Sequence, residues 1–266
     1  MKKITVIGGD NRLKLLKNSL MEAGYTVDTL GLFEDDSADV RSSQVVVFPV
    51  PTTKDGITVF TPLTNKKIAL SEIAEHLSKD QLILCCNYSF ENKNSVDYGS
   101  FDSYALLNSV PTAEGALKIA IENTPYTLWK SRVLVIGYGR VGKILSDRLK
   151  SLGCDVTVSA RKPADHALLD ALGFKYINTG HLNLKPLEYD IIFNTVDVKV
   201  IDDITLKSTT ADLMIDLSTY GGFSLSAAEE YGIKAIKAPG LPGKVAPKTA
   251  AEILCKTVTH IINSYN

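Results

Sequence analysis

Val133-Leu-Val-Ile-Gly137-Tyr-Gly139-Arg-Val-Gly142-Lys143 decides the fold of this chain. An apolar run ends in glycines and an amphipathic pattern follows, which predicts a buried strand, a tight turn and a helix N-terminus. Gly137 permits the sharp turn, Gly139 leaves the backbone bare to an approaching pyrophosphate, and Gly142 lets the helix pack closely on its strand. The N–H groups and dipole of that helix end, with Arg140 and Val141 in its first turn, favour a bound phosphate. A glycine fingerprint alone would also describe a turn that binds nothing. Here a second strand, Asp155-Val-Thr-Val158, follows where a βαβ unit needs one, so the stretch reads as a dinucleotide site.

Working outward, the rest of the C-terminal half follows the same alternation. The helix after Gly139 carries Val141, Ile144, Leu145, Leu149 and Leu152 inward and stops at Gly153. Further strands are predicted at Lys175–Ile177, Ile191–Phe193, Leu213–Ile215 and Lys234–Ile236. A last helix covers about 247–263. The N-terminal half has strands at Ile4–Ile7, Tyr25–Leu30, Val45–Phe48 and Leu82–Cys85, with helices over about 11–23 and 68–77. Asp10 caps the first of these helices and Gly24 stops it. The polar segment 54–65 is expected to form a loop or small hairpin. A long helix is expected from Pro111-Thr112 to Pro125. The fold class is therefore α/β: two Rossmann-like, doubly wound parallel-sheet domains, 1–125 and 126–266, with an interdomain cleft. The last helix is expected to cross back to the first domain.

Length and composition agree with this plan. The chain has 266 residues, 45% hydrophobic content and a net charge of −1. That gives no electrostatic reason to expect nucleic acid or an acidic membrane surface. No apolar stretch is long enough to span a bilayer. Met1-Lys-Lys resembles the start of a signal peptide, but Ile4–Ile7 is too short for its apolar core, so a cytoplasmic protein is expected. Cys85, Cys86, Cys154 and Cys255 form no CxxC pair, and no metal site is expected.

In the NAD version of this fold an acid ends the second strand and holds the ribose 2′-hydroxyl. Here the strand runs into Val158-Ser159-Ala160-Arg161-Lys162. Ser159 can donate a hydrogen bond, and Arg161 and Lys162 suit a 2′-phosphate. NADP is favoured, and NAD stays open if the two cations are solvated loop charges. Ligands of parallel sheets lie beyond the carboxyl ends of the strands. That rule makes Asn194, Thr195 and Ser218 candidate cofactor contacts. It also selects Arg12, beside Gly8-Gly9, as a candidate carboxylate ligand, together with the Gly243–Thr249 segment, where Lys244, Lys248 and Thr249 could hold a second anion. The same groups could be plain strand-end or solvated residues. His76, His166, His181 and His260 stand at no telling spacing from a carboxylate.

Four stretches taken together carry a family resemblance: Gly8-Gly-Asp-Asn-Arg12, Asn108-Ser-Val-Pro-Thr-Ala-Glu-Gly-Ala116, the glycine fingerprint, and Pro239-Gly-Leu-Pro-Gly-Lys-Val-Ala-Pro-Lys-Thr-Ala250. The chain resembles the A subunit of dipicolinate synthase, from spore-forming bacteria. The resemblance implies an NAD(P)-dependent oxidoreductase acting on a 4-hydroxy-tetrahydrodipicolinate. With loss of water and transfer of a hydride, that ring becomes pyridine-2,6-dicarboxylate during sporulation. It also implies a partner, a flavoprotein-like B subunit, with the mother-cell cytoplasm as location; a homo-oligomer is expected. A dicarboxylate substrate needs two cationic or N–H-rich pockets, for which Arg12, Thr112, Lys244 and Thr249 are candidates. Asp216, Tyr220, Lys244 or a water could take the ring proton. The alternatives are a dehydrogenase of an open-chain hydroxy or amino acid, and a non-catalytic NADP-binding subunit.

Overall fold

The computed structural model describes residues 2–265. The chain divides into two units, residues 1–108 with 242–266 and residues 109–241. The first opens with β1 (Lys3–Ile7), α1 (Asn11–Glu22), β2 (Thr26–Leu30), β3 (Val45–Val47), α2 (Leu70–His76), β4 (Leu82–Cys85) and β5 (Ser95–Asp97). These strands form one sheet in the order β2-β1-β3-β4-β5, and every pairing is parallel. The order reverses between β1 and β3, where such sheets open a crevice. Alternate residues feed two cores. Ile4, Val6, Val45, Val47 and Leu84 face one side with Leu13, Leu16 and Leu20 of α1. Ile7, Val46, Phe48 and Ile83 face the other, with Leu70 and Ile73 of α2. Burial on both faces explains why these strands read as unbroken apolar runs. The edge strand β5 was not foreseen: Ser95-Val-Asp97 is half-buried and lacks such a run.

α3 (Asp102–Asn123) starts nine residues before the expected Pro111, which lies inside the helix. Proline lacks the N–H and crowds the carbonyl four residues back, so its local signal is a helix boundary. Tertiary packing overrides it: Tyr104 is 4% exposed and belongs to the core of the first unit, which holds the preceding turns in the helix. The sequence reading set the domain boundary at residue 125; the chain divides within α3, between Asn108 and Ser109.

The second unit contains β6 (Arg132–Ile136), α4 (Arg140–Ser151), β7 (Asp155–Ala160), α5 (Pro163–Ala171), β8 (Lys175–Asn178), β9 (Ile191–Asn194), α6 (Asp203–Ser208), β10 (Leu213–Asp216), α7 (Leu225–Glu230) and β11 (Lys234–Lys237). Its six parallel strands lie in the order β11-β10-β9-β6-β7-β8. Counted within the unit, that is the 3-2-1-4-5-6 order of dinucleotide-binding sheets, with its switch point between β6 and β9. α4 buries Gly142, Leu145, Ser146 and Leu149. Leu152, expected inside, is 46% exposed, because the helix has ended at Ser151. After α8 (Leu241–Val245), α9 (Pro247–Ser264) packs along α1, with Ile253, Leu254, Val258 and Ile261 in the same core as Leu13 and Leu16. Among the described residues no helix is long and apolar enough to cross a membrane.

Candidate functional site

The glycines of the second unit each face a different neighbour. Gly137 has φ +98, a conformation that favours glycine, and a Cβ there would come 2.5 Å from Thr195 Oγ1. At Gly142 a Cβ would lie 2.0 Å from the Gly137 carbonyl oxygen, so helix and turn close on each other. Gly139 is the opposite case: nothing stands within 4 Å of where its Cβ would be. It is the N-cap of α4, and no side chain caps that helix end. The space in front belongs to a cavity of about 440 Å³ whose lining includes Gly137, Tyr138, Gly139, Arg161, Lys162 and Thr195. Ala160, Asp165, Thr179 and residues 196–198 complete most of its wall.

Several residues singled out in the sequence thus meet at one cavity, while others lie behind it. Ser159 is fully buried, and its hydroxyl is 2.7 Å from that of Thr179. Its carbonyl accepts from the Gly137 N–H at 3.0 Å. In this arrangement Ser159 fixes the glycine turn and the start of the 179–184 segment, while Arg161 and Lys162 are the exposed cations. Arg140 is exposed and Val141 half-buried in the first turn of α4.

Asn194, Asp216 and Ser218 form a network. Asn194 and Asp216 are in register on adjacent strands, and Lys237 of β11 is in register with Asp216. Asp216 is fully buried. Its Oδ1 accepts from Asn194 Nδ2 at 2.8 Å, Ser218 Oγ at 2.6 Å and Ser218 N at 3.0 Å, and its Oδ2 accepts from Lys237 Nζ at 2.8 Å. Burial would push this carboxyl up, but the Lys237 ammonium and the Ser218 and Asn194 donors hold it below the usual carboxylate range. Asp216 is therefore an ionised, fully engaged acceptor, which suits positioning better than proton abstraction. Tyr220 is 87% exposed on the following turn.

The first unit handles its own glycine turn differently. Gly8 N donates to the Leu30 carbonyl and Gly9 N to the Phe60 carbonyl, both at 2.8 Å. The foreseen hairpin is a bridged turn, with antiparallel bridges Thr53 to Val59 and Thr58 to Ala69, and it lies over these glycines. Asp10 caps α1 by accepting from Arg12 N. Its carboxylate also takes the Arg12 guanidinium, Nε at 2.9 Å and Nη2 at 2.8 Å, and Nη2 donates to the Val50 carbonyl as well. Arg12, foreseen as an open carboxylate ligand, is thus 4% exposed and paired within its own turn. Burial favours the neutral guanidine, yet the Asp10 carboxylate outweighs it and keeps Arg12 charged. A Cβ on Gly243 would meet Asp10 Oδ2 at 2.3 Å, so the segment carrying Lys244 starts against this pair. Lys244, Lys248 and Thr249 are exposed, and Thr112 is half-buried in α3.

The residues missed from the sequence include Tyr138, Asp165, Thr179, Asp197 and Lys237. Asp165 follows a helix-starting proline and Thr179 follows a strand end, both ordinary local patterns. Lys237 could have been found by the strand-end rule, since it closes the sixth strand of its sheet.

Comparison with known proteins adds the following. Residues 3–106 match the family model described as the N-terminal domain of the dipicolinate synthase A subunit. The chain is 32% identical to the dipicolinate synthase A subunit of Bacillus subtilis (strain 168), over 98% of this chain and 95% of that one. It is similar to the crystal structure of the dipicolinate synthase A subunit from Bacillus halodurans, with a TM-score of 0.87, 28% identity and coverage of 98% and 97% of the two chains. For the crystal structure of the Bacillus subtilis protein the TM-score is 0.86, with 30% identity and coverage of 99% and 96%.

Proposed function

This chain belongs to the family of dipicolinate synthase A subunits, and from that premise we propose that it is an NADP-preferring oxidoreductase converting 4-hydroxy-tetrahydrodipicolinate, with loss of water, to pyridine-2,6-dicarboxylate. The observation that carries the cofactor half of this reading is the uncapped N-terminus of α4, with open space at Gly139 in front of a cavity edged by Arg161 and Lys162. A dinucleotide fits such a cradle. The amides around Gly137–Gly142 take the pyrophosphate. Arg161 and Lys162 take the 2′-phosphate, and no acid ends β7 to repel it. Thr195, which lines the cavity with Asn194 and Ser218 beside it, would contact the nicotinamide half of the cofactor. NAD would use the same cradle without the 2′-phosphate contacts. The nicotinamide ring supplies the hydride acceptor.

The protein's part is to hold the substrate ring and let a proton leave, since aromatisation supplies the driving force. Lys244 and Thr249 carry exposed polar groups for one carboxylate, and half-buried Thr112 is the candidate for the other. Arg12, neutralised by Asp10, contributes geometry to its turn more than net charge. With Asp216 engaged, Tyr220 and water are the acceptors open to the ring proton, while Lys244 as an ammonium serves the carboxylate. A B subunit is the partner that family membership suggests, with self-association and a cytoplasmic location in a sporulating mother cell.

Incubating the purified chain with the tetrahydrodipicolinate precursor and NADP, with and without a B subunit, tests this directly. Dipicolinate absorbance with matching NADPH is the expected result. Reduction of NADP by an open-chain hydroxy or amino acid alone would replace the proposal with an ordinary dehydrogenase. Tight NADP binding without turnover under any condition would reduce the chain to a binding subunit.

A further inference from the structure

We propose that Lys237 is a positioning residue of the cofactor site, acting through Asp216 and Asn194 on the 194–201 segment that walls the cavity. The inference rests on the dinucleotide reading above. Three strand ends carry the chain of contacts. Lys237, Asp216 and Asn194 stand in one register row across β11, β10 and β9. Asn194 Nδ2 donates to Asp216 Oδ1 and to the Val196 carbonyl, both at 2.8 Å, and its Oδ1 accepts from Val196 N at 3.3 Å. The amide is thus oriented by the carboxylate on one side and sets the first turn of the wall on the other. The wall is tied to the 216–222 turn at two more points. Thr219 N donates to Asp197 Oδ1 at 2.5 Å, and the N–H groups of Val200 and Ile201 both donate to the Gly222 carbonyl, at 2.8 and 3.2 Å. Gly222 is packed so tightly that a Cβ would lie 2.3 Å from the Asn194 amide. Thr195, Val196, Asp197, Val198 and Val200 line the cavity; Lys237 does not touch it.

The arrangement needs the cation. Asp216 has no exposure, and Lys237 is the one charged side chain bonded to it among the described residues; its other partners, Asn194 and Ser218, are neutral. A buried carboxylate without its counter-ion takes up a proton at higher pH. Once Asp216 is protonated, at the Oδ2 that Lys237 held, its Oδ1 is a neutral carbonyl acceptor, so its charge-assisted bonds from Asn194 and Ser218 weaken and the wall loses much of its anchor. The Lys237 side chain is 29% exposed, so it can be replaced without filling a dense core.

The test is NADPH binding, followed by nucleotide fluorescence, for the intact protein and for Lys237→Met, Lys237→Arg and the double variant Asp216→Asn/Lys237→Met. Lys237→Met should bind within about threefold of the unaltered protein near pH 8 and about tenfold more weakly near pH 6, because affinity now follows ionisation of Asp216. Lys237→Arg should keep most of the affinity at both values. The double variant, which has no buried charge to protonate and so stays foldable, should lose the pH dependence. Equal affinity of Lys237→Met and the unaltered protein at every pH overturns the inference. So does a loss of the same size at every pH, which is what a merely structural lysine would give. If the unaltered protein binds neither NADPH nor NADH, the dinucleotide reading itself falls; that outcome is separate from binding that ignores Lys237.

Discussion

Asp10 and Gly139 occupy equivalent places in two glycine turns, and their backbones are nearly the same: φ −91, ψ −166 at Asp10 and φ −80, ψ −162 at Gly139. Each ends the turn after the first strand of a parallel sheet and begins a 12-residue helix. The side chain separates them. Asp10 folds back on the first turn of α1 and binds Arg12, so that helix end is satisfied by its own chain. Gly139 leaves the end of α4 open toward a cavity. In the first unit, Phe60 also occupies the Gly9 amide. One β–Gly–α device is thus a closed structural corner in one unit and an uncapped helix end facing a cavity in the other. What decides between them is whether the protein supplies the acceptors itself.

That contrast can be broken by substitution. The largest effect is expected from Gly142→Ala. The new methyl would collide with the backbone of Gly137, costing about 3 kcal/mol of stability and abolishing nucleotide binding; thermal unfolding with a NADPH titration measures both. Next comes Gly139→Asp, which transplants the cap of α1. It should weaken NADPH about a hundredfold by occupying the cradle with like charge, while stabilising α4 by about 1 kcal/mol. If Gly139→Asp binds normally, the two turns do not differ in the way described. Asp10→Ala removes a cap and strands a guanidinium with 5% exposure, at about 2 kcal/mol in urea unfolding, since Asp10 is itself 21% exposed. NADPH affinity should hardly change. The smallest is Arg161→Ala, with NADP weakened about tenfold and NAD left alone, as for one exposed charged contact. An equal loss for both nucleotides would remove Arg161 from the 2′-phosphate site.

Much of this could be read from local sequence. The strands at Val45, Leu82, Ile191 and Leu213 are apolar because both sheet faces are covered. The three glycines of the fingerprint also carried their separate roles in their spacing. Other features depended on the folded geometry. Pro111 signalled a helix start, yet the burial of Tyr104 extends α3 back to Asp102. Arg12 looked available, yet Asp10 two residues earlier holds it in a geometry that only the folded turn creates. Lys237 sits 21 residues after Asp216 and becomes its partner through strand pairing alone.

The sequence by itself determined two α/β units, a dinucleotide-type turn at Gly137 and membership of a family with a defined chemistry. Local patterns suffice there, because strand burial, helix capping and close backbone approach each constrain a few neighbouring residues. The tertiary structure decided which charges are spent and which are free. Arg12 and Asp216 are neutralised within the fold, whereas Arg161 and Lys162 face the cavity and Lys244 stays exposed. Lys237 meets Asp216 only through strand pairing 21 residues along the chain, and Arg12 meets Asp10 only in the geometry of the folded turn, so neither pairing is recorded in a local pattern.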